Sequence, residues 1–462
     1  MKTRNLIVLS IIALILGISS CRDDFDFDLA SDNLSFSSDT LNLDTIFNYT
    51  NSQTYKLTIH NNQDEDVQIP RIFLSRGESS LFKINVDGMA GFEFENVAVR
   101  KNDSIFIFVE IAAGEVLNNS IYEDEINFET TAGNQQVKLL SYLEKAKFYN
   151  TEQSDNYPLT ETNWDNQWSR VLFGNINAGD LTISAGTKVY FHNDAELNVT
   201  GTFNVNGAPN QKVIFRTDRM DDRSDSIPNA WGKIKLKSPN NSVLNTINYA
   251  VIRGANTGLE VQDSRLDISN TKIQNNENFG LLAYNSIING RNLVLTNANL
   301  ATLGLEGGSY DFRQCTFANY LSTGQSSGNS YSLILSNDSF ALNQANFYNN
   351  IFYGISANAI AFDSHTSNNF IYDFDYNVMR LDVPGELPST EFTNNLVLQT
   401  SDLLFVETED LFNDLRLILD TPAAGHANLV YLDSMTNSDI LGESRGTSPN
   451  PGAYQTPINP ED

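Results

Sequence analysis

Lys233, Lys235 and Lys237 alternate with Ile234 and Leu236, so on a strand the three ammonium groups share one face and the two aliphatic side chains the other. Just upstream, Asp218, Arg219, Asp221, Asp222 and Asp225 crowd a short stretch. Opposite charges at one rim can hold an anionic sugar, the lysines directly and the Asp218 and Asp221 carboxylates through a bridging Ca2+. The same residues also suit a solvated strand face beside a loop whose members pair with one another. His60, His192, His365 and His426 are scattered, with no spacing such as His-Glu-x-x-His. No nucleophile elbow, P-loop or dinucleotide fingerprint occurs, so no catalytic residue and no metal ligand set is assigned. Trp164, Trp168 and Trp231 have rings suited to stacking on sugars, although Trp164 and Trp168 stand where a first structural coil must be closed. Arg291 and Arg313, each four residues before an apolar anchor, read as a stack at a turn.

The elements that must position these residues are legible in composition. The chain of 462 residues carries a formal net charge of -28, which excludes nucleic acid as a partner because a polyanion is held by a surplus of Lys and Arg. Charged residues are 19% of the chain, below the roughly 25% of ordinary soluble domains. Asparagine supplies the missing polarity and outnumbers the 57 acidic residues together. Asn tolerates left-handed backbone and bonds to its own turn, which favours many short strands joined by tight corners and gives an all-β fold class.

From about Leu34 to Leu143 strands alternate with polar turns: Tyr55 to His60, Ile69 to Leu74, Phe82 to Val86, Val97 to Val99, Ile105 to Ile111, Ile126 to Glu129 and Val137 to Leu143. Short strands at this density, with no helical period, suggest an immunoglobulin-like β-sandwich over 34–148. A polar stretch, 149–180, is expected as linker and cap. Beyond Leu181 a repeat emerges. Ile273, Leu295, Phe317 and Phe347 align, preceded by Thr271, Leu293, Cys315 and Ala345 and by Asn270, Asn292, Gln314 and Gln344, and followed by Asn275, Asn297, Asn319 and Asn349. A period near 22 residues with apolar strands and amide ladders is that of a right-handed parallel β-helix, in which each coil pairs with the next at about 4.8 Å. Over 181–462 this gives about ten coils and a tail, with a loop extruded around Gly324 to Tyr331. Cys315 falls in an inward column and reads as a small core residue.

The amino terminus addresses the chain. Lys2 and Arg4 precede an apolar run from Leu6 to Ile18, too short to span a bilayer of roughly 30 Å but suited to a secretory signal, 1–20. Ser19, Ser20 and Cys21 resemble a bacterial lipobox, which implies that Cys21 becomes lipidated. The acidic run Asp23 to Asp28 lies in an expected tether, 21–33, and is similar to the export signal of Bacteroidota-type lipoproteins shown on the outer face of the outer membrane. With Cys21 acylated, Cys315 has no thiol partner for an intramolecular disulfide.

The strand set Tyr55 to Asn62, Phe82 to Gly88 and Asn102 to Glu110 resembles the amino-terminal domain of Bacteroidota surface lipoproteins that carry a pectate-lyase-like β-helix behind it. Leu181 to Phe191, Leu197 to Phe203 and Val213 to Phe215 are similar to that helix's opening coils, and Leu404 to Val406, Asp439 to Gly442 and Gly452 to Tyr454 to its tail. One departure is the segment Asp420 to His426, where an apolar-Ser-Pro-Ala-Ile-Asp-Ala-Gly pattern would be expected. The resemblance implies a membrane partner through the lipid anchor but fixes fold far better than activity; the leading reading is a non-enzymatic surface for glycan binding or adhesion to another surface protein. Enzymes of that fold draw a proton from beside a uronate carboxylate with a Lys or Arg base and often Ca2+, so an acidic-glycan lyase or hydrolase is the alternative, and a plain structural spacer the third.

Overall fold

The computed structural model describes residues 27–151, 158–221, 223–321, 330–381, 392–399, 404–408 and 413–456. The expected signal peptide, Cys21, tether residues 21–26, Asp222 and most of the loop near Gly324 lie outside the described residues. The chain forms two compact units, Met1–Glu144 and Lys145–Asp462.

In the first unit, strict alternation produces amphipathic strands. In Ser104–Ile111 the residues Ile105, Ile107, Val109 and Ile111 point inward while Phe106 and Phe108 remain exposed. One sheet runs Asp28–Leu29, Val67–Leu74, Ser120–Thr130, Gly133–Glu144, Thr40–Asn42, and the other Ser35–Phe36, Tyr55–His60, Ser104–Ile111, Phe82–Val86, Met89–Gly91. Their inner faces share one apolar core. Asp124 is buried in this unit and satisfied by the Ser80 hydroxyl at 2.6 Å and the Arg76 amide at 3.2 Å.

The second unit consists of long parallel sheets, an architecture compatible with a β-helix. Its chain visits three faces in turn, and each strand pairs with the strand one coil later. On the first face Lys272–Asn276, Val294–Ala298, Thr316–Asn319 and Ile351–Gly354 succeed one another. On the second, Trp231–Lys237 is followed by Ala255–Gln262, Phe279–Tyr284, Ala301–Glu306 and Tyr331–Ser336. The third face is a ten-stranded sheet that includes Arg265–Ser269, Ile287–Arg291, Gly308–Arg313 and Leu342–Tyr348. The described part of 149–180, expected as linker and cap, already belongs to this arrangement: Ala146–Asn150 pairs in parallel with Ser169–Ala178, and Trp164 is fully buried beneath Tyr149.

The corners explain the asparagines. Between the third and first faces the chain turns at one residue in the left-handed region: Asn270 (φ 49), Asn292 (φ 51), Gln314 (φ 56) and Asn349 (φ 57). Asn accepts that conformation at lower cost than other L-residues, and its amide then bonds the copy one coil away. Asn292 donates to Asn270 Oδ1 at 3.1 Å, and Asn270 to Asn248 Oδ1 at 3.0 Å. Each such bond contributes about 1 kcal/mol. Inside, aromatic rings stack coil on coil: Phe312 on Phe347 at 5.8 Å, Phe347 on Phe374 at 4.5 Å and Phe374 on Phe392 at 4.8 Å.

These pairings correct the register expected for the fourth repeat. Phe317 is paired with Phe352, whereas Phe347 belongs to the third face beside Phe312. The residue below Cys315 is likewise Asn350, whose Oδ1 accepts the Cys315 amide at 2.8 Å, not Ala345. The physical reason is that an Asn stands two residues after an inward Phe on either face, Asn319 after Phe317 and Asn349 after Phe347, so the two columns look alike although of these two only Asn349 is left-handed.

A third apolar cluster lies outside the coils. Val294, Ala318, Ile351, Tyr353 and Val378 point outward from the first face and are covered by Leu404, Phe405, Leu415, Leu417, Ile440, Ala453 and Tyr454 of the carboxy-terminal tail. Arg445, with 1% of its surface exposed, fastens that tail through bonds to Asn292 Oδ1 at 3.0 Å and the Gly452 carbonyl at 2.9 Å. Burial lowers its pKa to about 10.

Candidate functional site

On Trp231–Lys237, Ile234 and Leu236 are buried and Lys233, Lys235 and Lys237 share the outer side of the second face. One coil later in the same column as Lys235 stands Glu260, which the sequence reading did not include. It forks both neighbours: Lys233 Nζ lies 2.7 Å from Oε2 and Lys235 Nζ 2.7 Å from Oε1. Burial alone would raise the Glu260 pKa, but the hydrogen bonds from Lys233 and Lys235 outweigh it and hold the carboxyl below its usual range. Burial pulls Lys233 down, yet the bond and charge of Glu260 leave it raised. Both partners are thus locked in their charged forms at neutral pH. Lys237 is exposed and has no ion pair among the described residues.

The expected acidic partners go elsewhere. Asp218 takes His192 Nδ1 at 2.8 Å, and burial raises its pKa despite that contact. Asn193 meets the other ring nitrogen at 3.0 Å, and Phe173 lies against the imidazole at 4.6 Å. Asp221 pairs with Arg219 at 3.1 Å. Asp225 closes the loop between Arg216 at 2.8 Å and Arg253 at 2.5 Å. Asp218 and Asp225 are therefore taken by side chains of neighbouring strands and Asp221 by Arg219, and no group of His, Cys, Asp and Glu able to hold a metal ion occurs among the described residues.

No family model and no curated protein matches this chain. Among solved structures it has partial likenesses to a family 123 glycoside hydrolase from Clostridium perfringens (11% identity, 29% of this chain and 30% of that one, TM-score 0.20). Others are a protein of unknown function from Porphyromonas gingivalis W83 (10%, 29% and 58%, TM-score 0.19), and the VesB protease of Vibrio cholerae (15%, 24% and 32%, TM-score 0.18). The chain spans less than two thirds of each, and likenesses this slight carry no argument.

The remaining candidates resolve as structure. Trp231 is buried, stacked on Phe191 at 4.0 Å, and donates to the Arg253 carbonyl at 2.9 Å. Lys145 caps the Trp168 ring at 3.7 Å. Arg291 and Arg313 do stack in register, sharing Asp311 at 2.7 and 2.8 Å. The Cys315 thiol is buried and pushed up to about 12 by desolvation, the environment of an inert core residue. Beside Glu260 the second face turns aromatic: Phe279, Leu282 and Tyr284 are partly exposed on its outer side. Single-strand alternation marks Leu282 and Tyr284 as outward but would place Phe279 inward with Leu281 and Ala283, and only the coil register brings the three next to the lysines.

Proposed function

We propose that this chain is a surface lipoprotein, anchored in the outer membrane through Cys21 and exposed to the cell exterior. In this reading an immunoglobulin-like sandwich precedes a right-handed parallel β-helix whose second face binds acidic glycans without cleaving them. The observation that carries the non-enzymatic reading is the Lys233–Glu260–Lys235 fork. A lyase base must be free to lose its proton, and here the best-placed lysine is held as a cation by a carboxylate that is itself held as an anion. The cluster still bears a local positive excess, which suits recognition of a carboxylated sugar. On a body of charge -28 that binding is weak and is favoured by moderate salt, which screens the long-range repulsion.

The test incubates the full mature chain with pectate, alginate and chondroitin, following both binding and the absorbance of unsaturated products. Binding without turnover, lost when Lys233, Lys235 and Lys237 are all replaced by Gln, is the expected result. Product formation abolished by the same triple variant replaces the binder with the lyase, and neither binding nor turnover leaves a spacer. The anchor is tested separately: Cys21→Ser should stay soluble or unprocessed, and continued acyl labelling of that variant refutes it.

A further inference from the structure

The outer side of the second face changes character coil by coil. In one column Lys237, Gln262, Tyr284 and Glu306 succeed one another, and beside it run Lys235, Glu260, Leu282 and Gly304. The surface therefore passes from cationic through aromatic to anionic over three coil spacings, about 14 Å. The ammonium groups of Lys233 and Lys235 lean onto Glu260, so their charge lies over the coil immediately before Phe279 and Tyr284. Gly304 shapes the middle zone. A Cβ there would stand 2.7 Å from Phe279 Cε1 and 2.9 Å from Leu282 Cδ1, so the missing side chain is what lets these two groups lie down across the strand and form a flat apolar floor.

We infer that this floor is a subsite for an uncharged sugar ring, adjoining a uronate held by the lysines, so that the face selects a uronate joined to a neutral sugar over consecutive uronates. The inference rests on the glycan-binding reading above and names its ligand class. An apolar ring face stacks on Phe279 and Leu282, as sugar C–H groups do on aromatic surfaces. A carboxylate at that position would instead face Glu306 one coil on and Glu260 one coil back, with the Tyr284 hydroxyl, whose pKa is raised by burial and then by these two charges, between them. Like charges at such spacing repel in a partly desolvated site.

Two disaccharides of equal ring number separate the possibilities: the unsulfated chondroitin disaccharide, with one carboxylate, and digalacturonate, with two. Binding is read by ligand-observed NMR on the full mature chain, with melting curves as the check on folding. The chondroitin disaccharide should bind at least about threefold tighter. Phe279→Ala should weaken it about fivefold while barely changing digalacturonate. Gly304→Val, which keeps the ring but lifts it from the floor, should reproduce that loss. Glu306→Gln should improve digalacturonate and narrow the gap. Equal affinities for the two sugars, both insensitive to Phe279→Ala and both lost in the triple lysine variant, overturn this inference and leave the glycan reading intact. No binding of either sugar removes both.

Discussion

The first and second faces of the coiled unit are built from the same strand pattern, yet their outward columns differ in kind. On the first, Val294, Ala318, Ile351, Tyr353 and Val378 are aliphatic, small or aromatic and lie under the tail. On the second, Lys233, Lys235, Leu282, Tyr284 and Glu306 mix charge with aromatic surface and stay partly exposed. The coil itself needs only its inward side chains and its left-handed corners, so the outward columns are free. One has been given to a cover fastened by Arg445, and the other to solvent and whatever it recognises.

The strongest way to break the contrast is to strip the cover. Arg445→Ala leaves the Asn292 side chain and two buried carbonyls without their donor, a loss of about 3 kcal/mol. Limited proteolysis should then cut within 404–456 before it reaches the coils, and a hydrophobic dye should bind the uncovered first face. Cleavage beginning elsewhere would show that the tail is held without Arg445.

A smaller effect is expected at the corners. Asn297 has φ 58, is buried, and donates to Asn275 Oδ1 at 3.0 Å. Its Oδ1 accepts the Tyr320 amide at 3.2 Å, not the Asn319 side chain, and Asn319 lacks the left-handed backbone of Asn275 and Asn297. Asn319 instead takes the Ala298 amide at 3.1 Å. Asn297→Val should cost about 1 to 3 kcal/mol, combining the lost amide bonds with a β-branched residue in the left-handed region. Asn118→Val, at an exposed position of the first unit, should leave the melting temperature of the coils unchanged.

The smallest effect sharpens the charged face. Glu260→Gln should destabilise the coils by about 1 to 2 kcal/mol at pH 7. The folded-state pKa of Glu260 is lowered, so its contribution is complete above the unfolded value of about 4.3 and disappears as pH falls through the lowered one. The difference in melting temperature between variant and parent should therefore shrink from pH 7 to pH 3. A gap that persists in acid would assign the effect to packing and not to the ion pair.

Much of the strand framework could be read from alternation alone. Tyr55–His60 and Phe82–Val86 fall where Ile and Leu spacing puts them. The hairpin Ser120–Thr130 with Gly133–Glu144 extends well beyond the expected apolar stretches, since its outer ends, with Glu123, Asp124 and Glu125, carry no apolar period to detect. Within the candidate site, the shared outer face of Lys233, Lys235 and Lys237 follows from local spacing. Glu260 does not, because it reaches Lys235 only through the length of the intervening coil, and the turns that set that length vary from coil to coil. The same limit hid the His192–Asp218 pair and sent Phe347 to the wrong column.

The cover on the first face also sets an order of events in time. Tyr353 and its apolar neighbours emerge from synthesis about a hundred residues before Tyr454, an interval on the order of 5 to 20 s at ribosomal rates. Coils that close before the tail docks present a sticky stripe, which Leu404 and Phe405 begin to cover and Ala453 and Tyr454 finish. A chain shortened by its last dozen residues would lose Ala453 and Tyr454 and meet its main hazard while folding, by association between half-covered molecules, well before any loss of heat resistance in the finished one became relevant.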